Sequence, residues 1–354
     1  MRRGLKRALI GCTVLALAAA GAGALVLQGV RSLDAPVALA RPLRFEVPAG
    51  ARLSTVAREL GRQGVLAEPR AWLLYGRLTG RAATIKAGEY EVQPGSTPRQ
   101  LLDKLVSGQV VLHSFTIVDG SRVADVLAAL RHDSDVRVTL PAEQADPNAL
   151  AQALGLADTP VEGQLLPETY RFALHTSDVD ILREAHAALV RTLETEWQGR
   201  DPQIPLRSPE ELLVMASIVE KESGVPQELA KIAGLYLNRL RLGMRLQADP
   251  TVIYGLGERY DGTLHTVDLR TDGPYNTYTR SGLPPTPIAL PGAAALHATA
   301  HPEKTDALYF VASGLPDGSH VFSRNLLEHN AAVAQYLARQ RGKAASEREH
   351  ERSR

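Results

Sequence analysis

Residues 208–224 read SPEELLVMASIVEKESG, and the rest of the chain is best understood outward from this segment. Ser208 suits a helix N-cap, Pro209 suits the first helical position, and Glu211 completes a Ser-x-x-Glu capping box. Gly224 and Pro226 stop the helix. Glu210 and Glu211 are thereby explained as helix-start residues. Glu220 and Glu222 are not. Successive helical residues turn by ~100°, so these two acids point ~200° apart. Glu222 lies in line with Met215, Ile218 and Val219 and extends the apolar stripe. Glu220 stacks over Ala216 and Ser217, towards the polar side, and is expected to be a surface charge. A carboxyl that ends a buried stripe is either a solvated or cation-paired helix end, or a desolvated group with a raised pKa. The second state is the one a general acid needs.

The chain has 354 residues, 44% apolar and 22% charged, enough for two domains with sizeable cores beyond a targeting segment. A net charge of +1 gives no basic field, so nucleic acid is not expected as a partner. The single cysteine, Cys12, excludes internal disulfides and cysteine-based metal clusters. The opening MRRGLKR carries four basic residues and no acid, and Ala8–Val30 then runs for 23 residues without charge. As a helix this run spans roughly 34 Å at ~1.5 Å per residue, enough for a ~30 Å hydrocarbon core. The basic tail 1–7 stays cytoplasmic by the positive-inside rule, which puts the remainder outside. The expectation is a transmembrane anchor over 8–30. A cleaved signal peptide ending near AAAGAGA, and a lipoprotein box LIGC ending at Cys12, compete with it. All three readings export the chain.

Residues 31–43 hold two prolines and no helical period, and read as a tether. A weak repeat follows. FEVPAGARLSTVAREL starts at Phe45, YEVQPGSTPRQLLDKL at Tyr90 and FTIVDGSRVADVLAAL at Phe115. Each opens on an aromatic and places a glycine sixth (Gly50, Gly95, Gly120) and a leucine sixteenth (Leu60, Leu105, Leu130). This reads as a short strand, a glycine turn and an amphipathic helix with a Ser/Thr cap region. Further on, Ala149–Leu154 and Asp178–Trp197 read as helices. Val179, Leu182, Ala185, Ala188, Leu189 and Leu193 recur in the second at close to a 3.6 period. Residues 341–354 are polar and charged, and are expected to be a disordered tail. The histidines His265, His297, His301, His320 and His329 show no metal-ligand spacing, so no metal or cofactor is expected.

Two resemblances refine this outline. Phe-x-Val-x-x-Gly-x-x-Leu from Phe45, with the following VARELGRQGVL, resembles the lysin motif (LysM), a small sugar-binding βααβ module. A purely structural strand–turn–helix unit accounts for the same pattern. MASIVEKESGVPQELAKIAGLYLNRLRLGMRLQADPTVIYGLG from Met215, YNTYTRSGLPPTPIALPG from Tyr275 and HPEKTDALYFVASG from His301 resemble the endolytic murein transglycosylase, or YceG-like, family. The likeness runs from about Phe45 to Leu337.

The second resemblance implies an α+β protein with three parts: an N-terminal transmembrane helix, a small LysM-like subdomain over 44–114, and a larger lytic transglycosylase domain over 115–340. It implies a single pass through the cell inner membrane with the catalytic domain in the periplasm. It also implies cleavage of the β-1,4 bond between N-acetylmuramic acid and N-acetylglucosamine within nascent peptidoglycan strands, leaving a 1,6-anhydro end. Penicillin-binding proteins are implied as partners. The family's catalytic glutamate falls on Glu222, and Ser223 completes the Glu-Ser pair of other lytic transglycosylases. For glycan contacts the chain offers Gln247 and Asp249 in LQADPTVIYG, with Asp249 also a candidate helix cap. Tyr275, Asn276, Thr277 and Tyr278 alternate aromatic platforms with amide and hydroxyl groups, which suits N-acetyl sugars; a buried structural loop is the competing reading of the same four residues. The proline-fixed loop 281–292 would wall the cleft. In VEGQLLPETY, Gln164 and Leu166 stand where the family usually carries aromatics, while Glu162 and Tyr170 keep its pattern. A muramidase using water, and a glycan-binding scaffold without activity, are the alternatives.

Overall fold

The computed structural model describes Leu17, residues 19–21, 23–24, 26–141, 147–156 and 159–352. The basic tail 1–7 and residues 8–16 of the expected anchor lie outside the described residues. Residues 26–34 are helical. Among the described residues no helix is long and apolar enough to cross a membrane. The chain forms two compact units. One runs to His113 and includes Arg171–His175; the other comprises Ser114–Tyr170 and Thr176 onward.

The first unit contains β1 (Leu43–Val47), α1 (Leu53–Arg62), α2 (Pro69–Leu78), β2 (Gly88–Val92) and α3 (Pro98–Ser107). β1 and β2 pair antiparallel, with Phe45 opposite Tyr90. These are the opening aromatics of the first two repeats, and their rings lie 6.0 Å apart. Strand alternation sends Phe45, Val47, Tyr90 and Val92 to one buried face. Leu53, Val56 and Leu60 of α1, Trp72 of α2, and Leu101, Leu102 and Leu105 of α3 complete that core. Trp72 keeps its indole N–H satisfied on the Pro98 carbonyl at 2.7 Å. The repeat glycines take the left-handed turn that their position requires: Gly50, Gly95 and Gly120 have φ of 74°, 82° and 72°.

Three expectations change here. The 31–43 segment is docked rather than a free tether. Leu33 and Val37 are buried in this core, and the Val37 N–H donates to the Ser96 carbonyl at 2.8 Å. Two apolar residues spaced to reach one core outweighed the absence of a helical period. A Ser/Thr side-chain cap is present only in the second repeat, where Thr97 and Gln100 form a reciprocal capping box. Arg52 and Arg122 stand at the cap position in the other two. Finally, the last helix runs to Arg352, so 341–352 is helical rather than disordered. After Gly342 this stretch is mostly Lys, Ala, Glu and Arg, which are strong helix formers and continue a helix already nucleated upstream.

The second unit holds most of β3 (Leu112–Thr116), α4 (Val123–His132), α5 (Pro147–Leu154) and the first two residues of β4 (Thr169–Ala173), whose remainder belongs to the first unit. Then follow α6 (Asp178–Gly199), α7 (Pro209–Glu222), α8 (Leu229–Arg241), α9 (Asp249–Leu256), α10 (Thr266–Arg270) and α11 (Ala293–Ala300). The hairpin β5 (Tyr309–Ala312) and β6 (His320–Ser323) and the helix α12 (Leu326–Arg352) close the chain. The packing centre is α7, against α6, α8, α9 and α11. Every residue from Leu212 to Val219 is buried. That is why LLVMASIV is apolar apart from Ser217: a helix covered on all sides presents no polar face to water, and Ser217 is satisfied internally. Each fully buried Leu, Ile or Met there contributes roughly 1.5–3 kcal/mol.

Candidate active site

α7 begins as its sequence predicts, with one change. The Ser208 hydroxyl accepts the Glu211 N–H at 3.3 Å. The Glu211 carboxylate, however, accepts the N–H of Arg207 at 2.7 Å rather than that of the cap residue. The helix ends on Glu222, and Ser223 is extended. The Ser223 hydroxyl accepts the Val225 N–H at 3.0 Å and shapes the turn into α8.

Glu222 is half-buried at this end. The Tyr236 hydroxyl on α8 donates to its carboxylate. Burial pushes the Glu222 pKa up to about 7; the Tyr236 hydrogen bond pulls it down, the Asp249 charge raises it and the Arg239 charge lowers it. Arg239 is buried, and its Nε donates to the Leu308 carbonyl at 2.7 Å. Further hydrogen bonds run from its Nη1 to the carbonyls of Leu246 and Arg245. It is therefore a cation held by backbone oxygens, and its field still reaches Glu222. Tyr278 donates to Asp249, and burial followed by that bond holds its hydroxyl far from ionising. Glu222, Tyr236, Arg239, Asp249 and Tyr278 thus form one electrostatic cluster. Within it the Glu222 carboxyl keeps its proton up to about pH 7.

Glu220 is not the surface charge that the helix period suggested. It is half-buried, and its Oε2 accepts the Gly292 N–H at 3.0 Å. Burial raises its pKa. The side expected to be polar is covered by the 281–292 loop, which runs along α7 in the same direction as the helix. Val214 and Pro284–Pro285 line one groove near the helix start. Further along, the Ser217 hydroxyl accepts the Ile288 N–H at 3.0 Å, and Glu220 then takes Gly292. Lys221 donates to the Gly120 carbonyl at 3.1 Å, and Gly120 and Ser121 are joined to Leu290 by two backbone hydrogen bonds of 2.9 Å. Two of the three charges in EKE are thus fasteners to neighbouring loops, and the third meets Tyr236.

The remaining predicted contacts divide. Gln247 is exposed and holds φ at 52°, a left-handed conformation rare for a residue with a side chain. Its N–H donates to the Thr277 carbonyl at 3.1 Å. Such strain concentrates at functional sites. Asp249 does not cap α9: Ala248 occupies the cap position, and the Asp249 carboxylate turns to Tyr278. Asn276 is buried, and its amide donates to the carbonyls of Asp268, Leu269 and Thr271 at 2.9, 3.3 and 2.7 Å. Thr277 is buried as well, accepting the Ala248 N–H at 3.0 Å and bonding Thr251 at 2.9 Å. Both were expected to face sugar; both instead brace the loop, because a short polar loop under a helix must satisfy its own carbonyls. Tyr275 bonds Thr286 at 2.8 Å and meets Tyr254 edge-on at 4.8 Å. Glu162 accepts the Val123 N–H at 3.1 Å, placing its charge at the start of α4. Burial nevertheless raises its pKa. Leu166 is buried core, and the Gln164 carbonyl is bonded to His186 Nδ1 at 2.8 Å.

The sequence reading missed Tyr236 and Arg239. Their signal is present: a phenol and a guanidinium three residues apart interrupt the apolar run of α8. It also missed that His297 and His301 stand one helical turn apart, which the structure corrects.

The YceG-like family matches residues 45–335. A Bacillus subtilis protein named endolytic murein transglycosylase is 31% identical over 315 residues, covering 84% of this chain and 85% of its own. A Streptococcus pneumoniae protein of the same name is 27% identical over 322 residues; the match takes in 82% of this chain but spans only 58% of that relative's length. A crystal structure of a yceG-like protein from Listeria monocytogenes is 30% identical, covers 82% of this chain and 98% of its own, and has a TM-score of 0.49. By the extent of the family match, this chain belongs to the YceG-like family.

Proposed function

We propose that this protein is an endolytic peptidoglycan lytic transglycosylase that cuts the β-1,4 bond between N-acetylmuramic acid and N-acetylglucosamine in nascent strands and so limits their length. The relatives named endolytic murein transglycosylase support the reaction class. The observation that carries the mechanism is the half-buried Glu222 carboxyl held by the Tyr236 hydroxyl, its pKa pushed up to about 7 by burial. A glycosidase that uses water needs two carboxylates. An internal nucleophile removes that need. Protonated Glu222 gives its proton to the glycosidic oxygen as the C1–O bond breaks. The resulting carboxylate takes the proton of the C6 hydroxyl as O6 closes on C1. Glu222 ends as it began, no water is consumed, and the product is a 1,6-anhydromuramoyl end. Tethering of the nucleophile to the reacting sugar supplies much of the entropic advantage.

Asp249 and Tyr278, which interact with the Glu222 carboxyl, and Ser223 next to it in the chain are the groups offered to the glycan, with Gln247, Tyr275 and Glu162 as further contacts. Asn276 and Thr277 hold those groups in place. The βααβ start of the first unit is read as a LysM-like module for the same polymer. The uncharged run 8–30 is read as a single-pass anchor in the cell inner membrane, with the catalytic unit in the periplasm beside the penicillin-binding synthases.

The test is mass spectrometry of products from purified peptidoglycan. Anhydro-muropeptides are expected. Reducing ends heavier by one water would make the enzyme a muramidase, and glycan binding without turnover would make it a scaffold.

A further inference from the structure

A second cluster lies on the outer side of α6, apart from the groups just described. We propose that Glu196, His297 and His301 form a binding site for a divalent transition-metal cation of the zinc class. In HATAH (297–301), the two histidines are four residues apart, so the helix stacks them on one face. Their rings are 4.5 Å apart. His297 Nδ1 lies 3.0 Å, and His301 Nε2 3.2 Å, from the same oxygen, Glu196 Oε2. All three donor atoms fall within 4.8 Å of one another. Ligands held tetrahedrally at ~2.0–2.1 Å from zinc sit about 3.3 Å apart. Both carboxylate–imidazole separations already have that length. The third closes by rotation of the His297 ring, whose side chain is 64% exposed.

The donor set selects the ion. Two imidazoles and one carboxylate suit Zn2+, Ni2+ or Cu2+, whereas Mg2+ and Ca2+ take oxygen ligands. Glu196 is only 17% exposed, so the carboxylate forms the inner wall and the histidines the outer one. Three protein ligands leave a fourth position open to solvent. The ion would fasten the end of α6 to the end of α11, and α11 packs directly on α7 and α8. The role is therefore that of a clasp on the frame around Glu222, not of a second catalytic centre. The competing arrangement is one carboxylate oxygen accepting two imidazole N–H bonds. In that arrangement the ring protons occupy the positions where a metal needs lone pairs.

The experiment uses the full-length protein without a polyhistidine tag, stripped with a chelator and titrated with zinc chloride. One equivalent is expected to bind by calorimetry, and the unfolding midpoint should rise with zinc concentration. Glu196→Gln and the exposed-site variant His297→Ala should each lose both effects while keeping the wild-type circular dichroism spectrum. Glu222→Gln should keep both, which separates this cluster from the carboxylates around Glu222. Absence of saturable one-equivalent binding in the wild type overturns the proposal. So does binding that persists unchanged in both Glu196→Gln and His297→Ala.

Discussion

The phenolic hydroxyl of Tyr236 donates to the carboxylate of Glu222, fourteen residues earlier in the chain. Burial raises the pKa of that carboxyl, and this hydrogen bond opposes the rise. Tyr236→Phe should therefore move the Glu222 pKa higher and shift the alkaline fall of activity to higher pH. Loss of the bond should also cost about 1 kcal/mol of stability. The pH profile of turnover reads the first effect and chemical denaturation the second. A profile that keeps its alkaline limb would mean that the hydroxyl does not tune the acid.

Glu222→Gln keeps the shape of the side chain and removes its proton chemistry. Release of anhydro-muropeptides should fall by at least about 10²-fold, the range of general acid–base catalysis. Circular dichroism should be unchanged. Near-normal turnover in a folded Glu222→Gln protein would remove Glu222 from the mechanism.

The same pKa sets how stability varies with pH. Between the ordinary value of 4.5 and about 7, the folded carboxyl keeps a proton that the unfolded chain has released. The unfolded state binds fewer protons in this window, so stability falls as pH rises through it and levels off above. The full effect is up to roughly 3 kcal/mol for this group. Urea unfolding across pH 4–8 should have a shallower slope in Glu222→Gln than in the wild type. Catalysis should decline above about pH 7 as the acid loses its proton.

Asn276→Ala distinguishes bracing from sugar contact. Its amide serves three backbone carbonyls from a buried position. Leaving those oxygens without their donor should cost about 1–3 kcal/mol, read as a lower unfolding midpoint. At temperatures where the variant is folded, KM should change little. A raised KM with unchanged stability would return Asn276 to the substrate.

A Cβ added at Gly292 would lie 2.4 Å from Asp119 Oδ1, so either the Asp119 side chain or the loop has to shift. Gly292→Ala should push the loop off Glu220, lower the unfolding midpoint by several degrees and reduce kcat several-fold. Glu220→Gln keeps an acceptor for the Gly292 N–H and should be much milder in both measurements. Equal damage from the two would argue that charge at residue 220, not the loop contact, is what matters.

Much of this was legible in the sequence for identifiable reasons. The glycine at position six of each repeat demanded a left-handed turn, and all three have it. Ser208 and Pro209 fixed the start of α7, and that phase separated Glu220 from Glu222 correctly. The phase could not say what covers each face. The polar side of α7 is polar only in composition, since Ser217 and Glu220 are spent on a loop that arrives some seventy residues later. Long-range partners of this kind leave no local period. Asn276 and Thr277 were misread for a related reason: an amide that reaches sugar and one that reaches three carbonyls look alike in one dimension. Tyr236 needed the turn between α7 and α8 to be drawn before its hydroxyl could be seen to meet Glu222.

The parallel course of residues 281–292 along α7 also bears on when the catalyst comes into being. A chain halted before Ile288 can already contain α7, with Ser217 and Glu220 still lacking the amides of Ile288 and Gly292. Contacts of such high sequence separation form late in folding. Assembly around the acid is therefore tied to completion of the C-terminal half. A partly made chain carries Glu222 without the wall that α7 acquires only at the end.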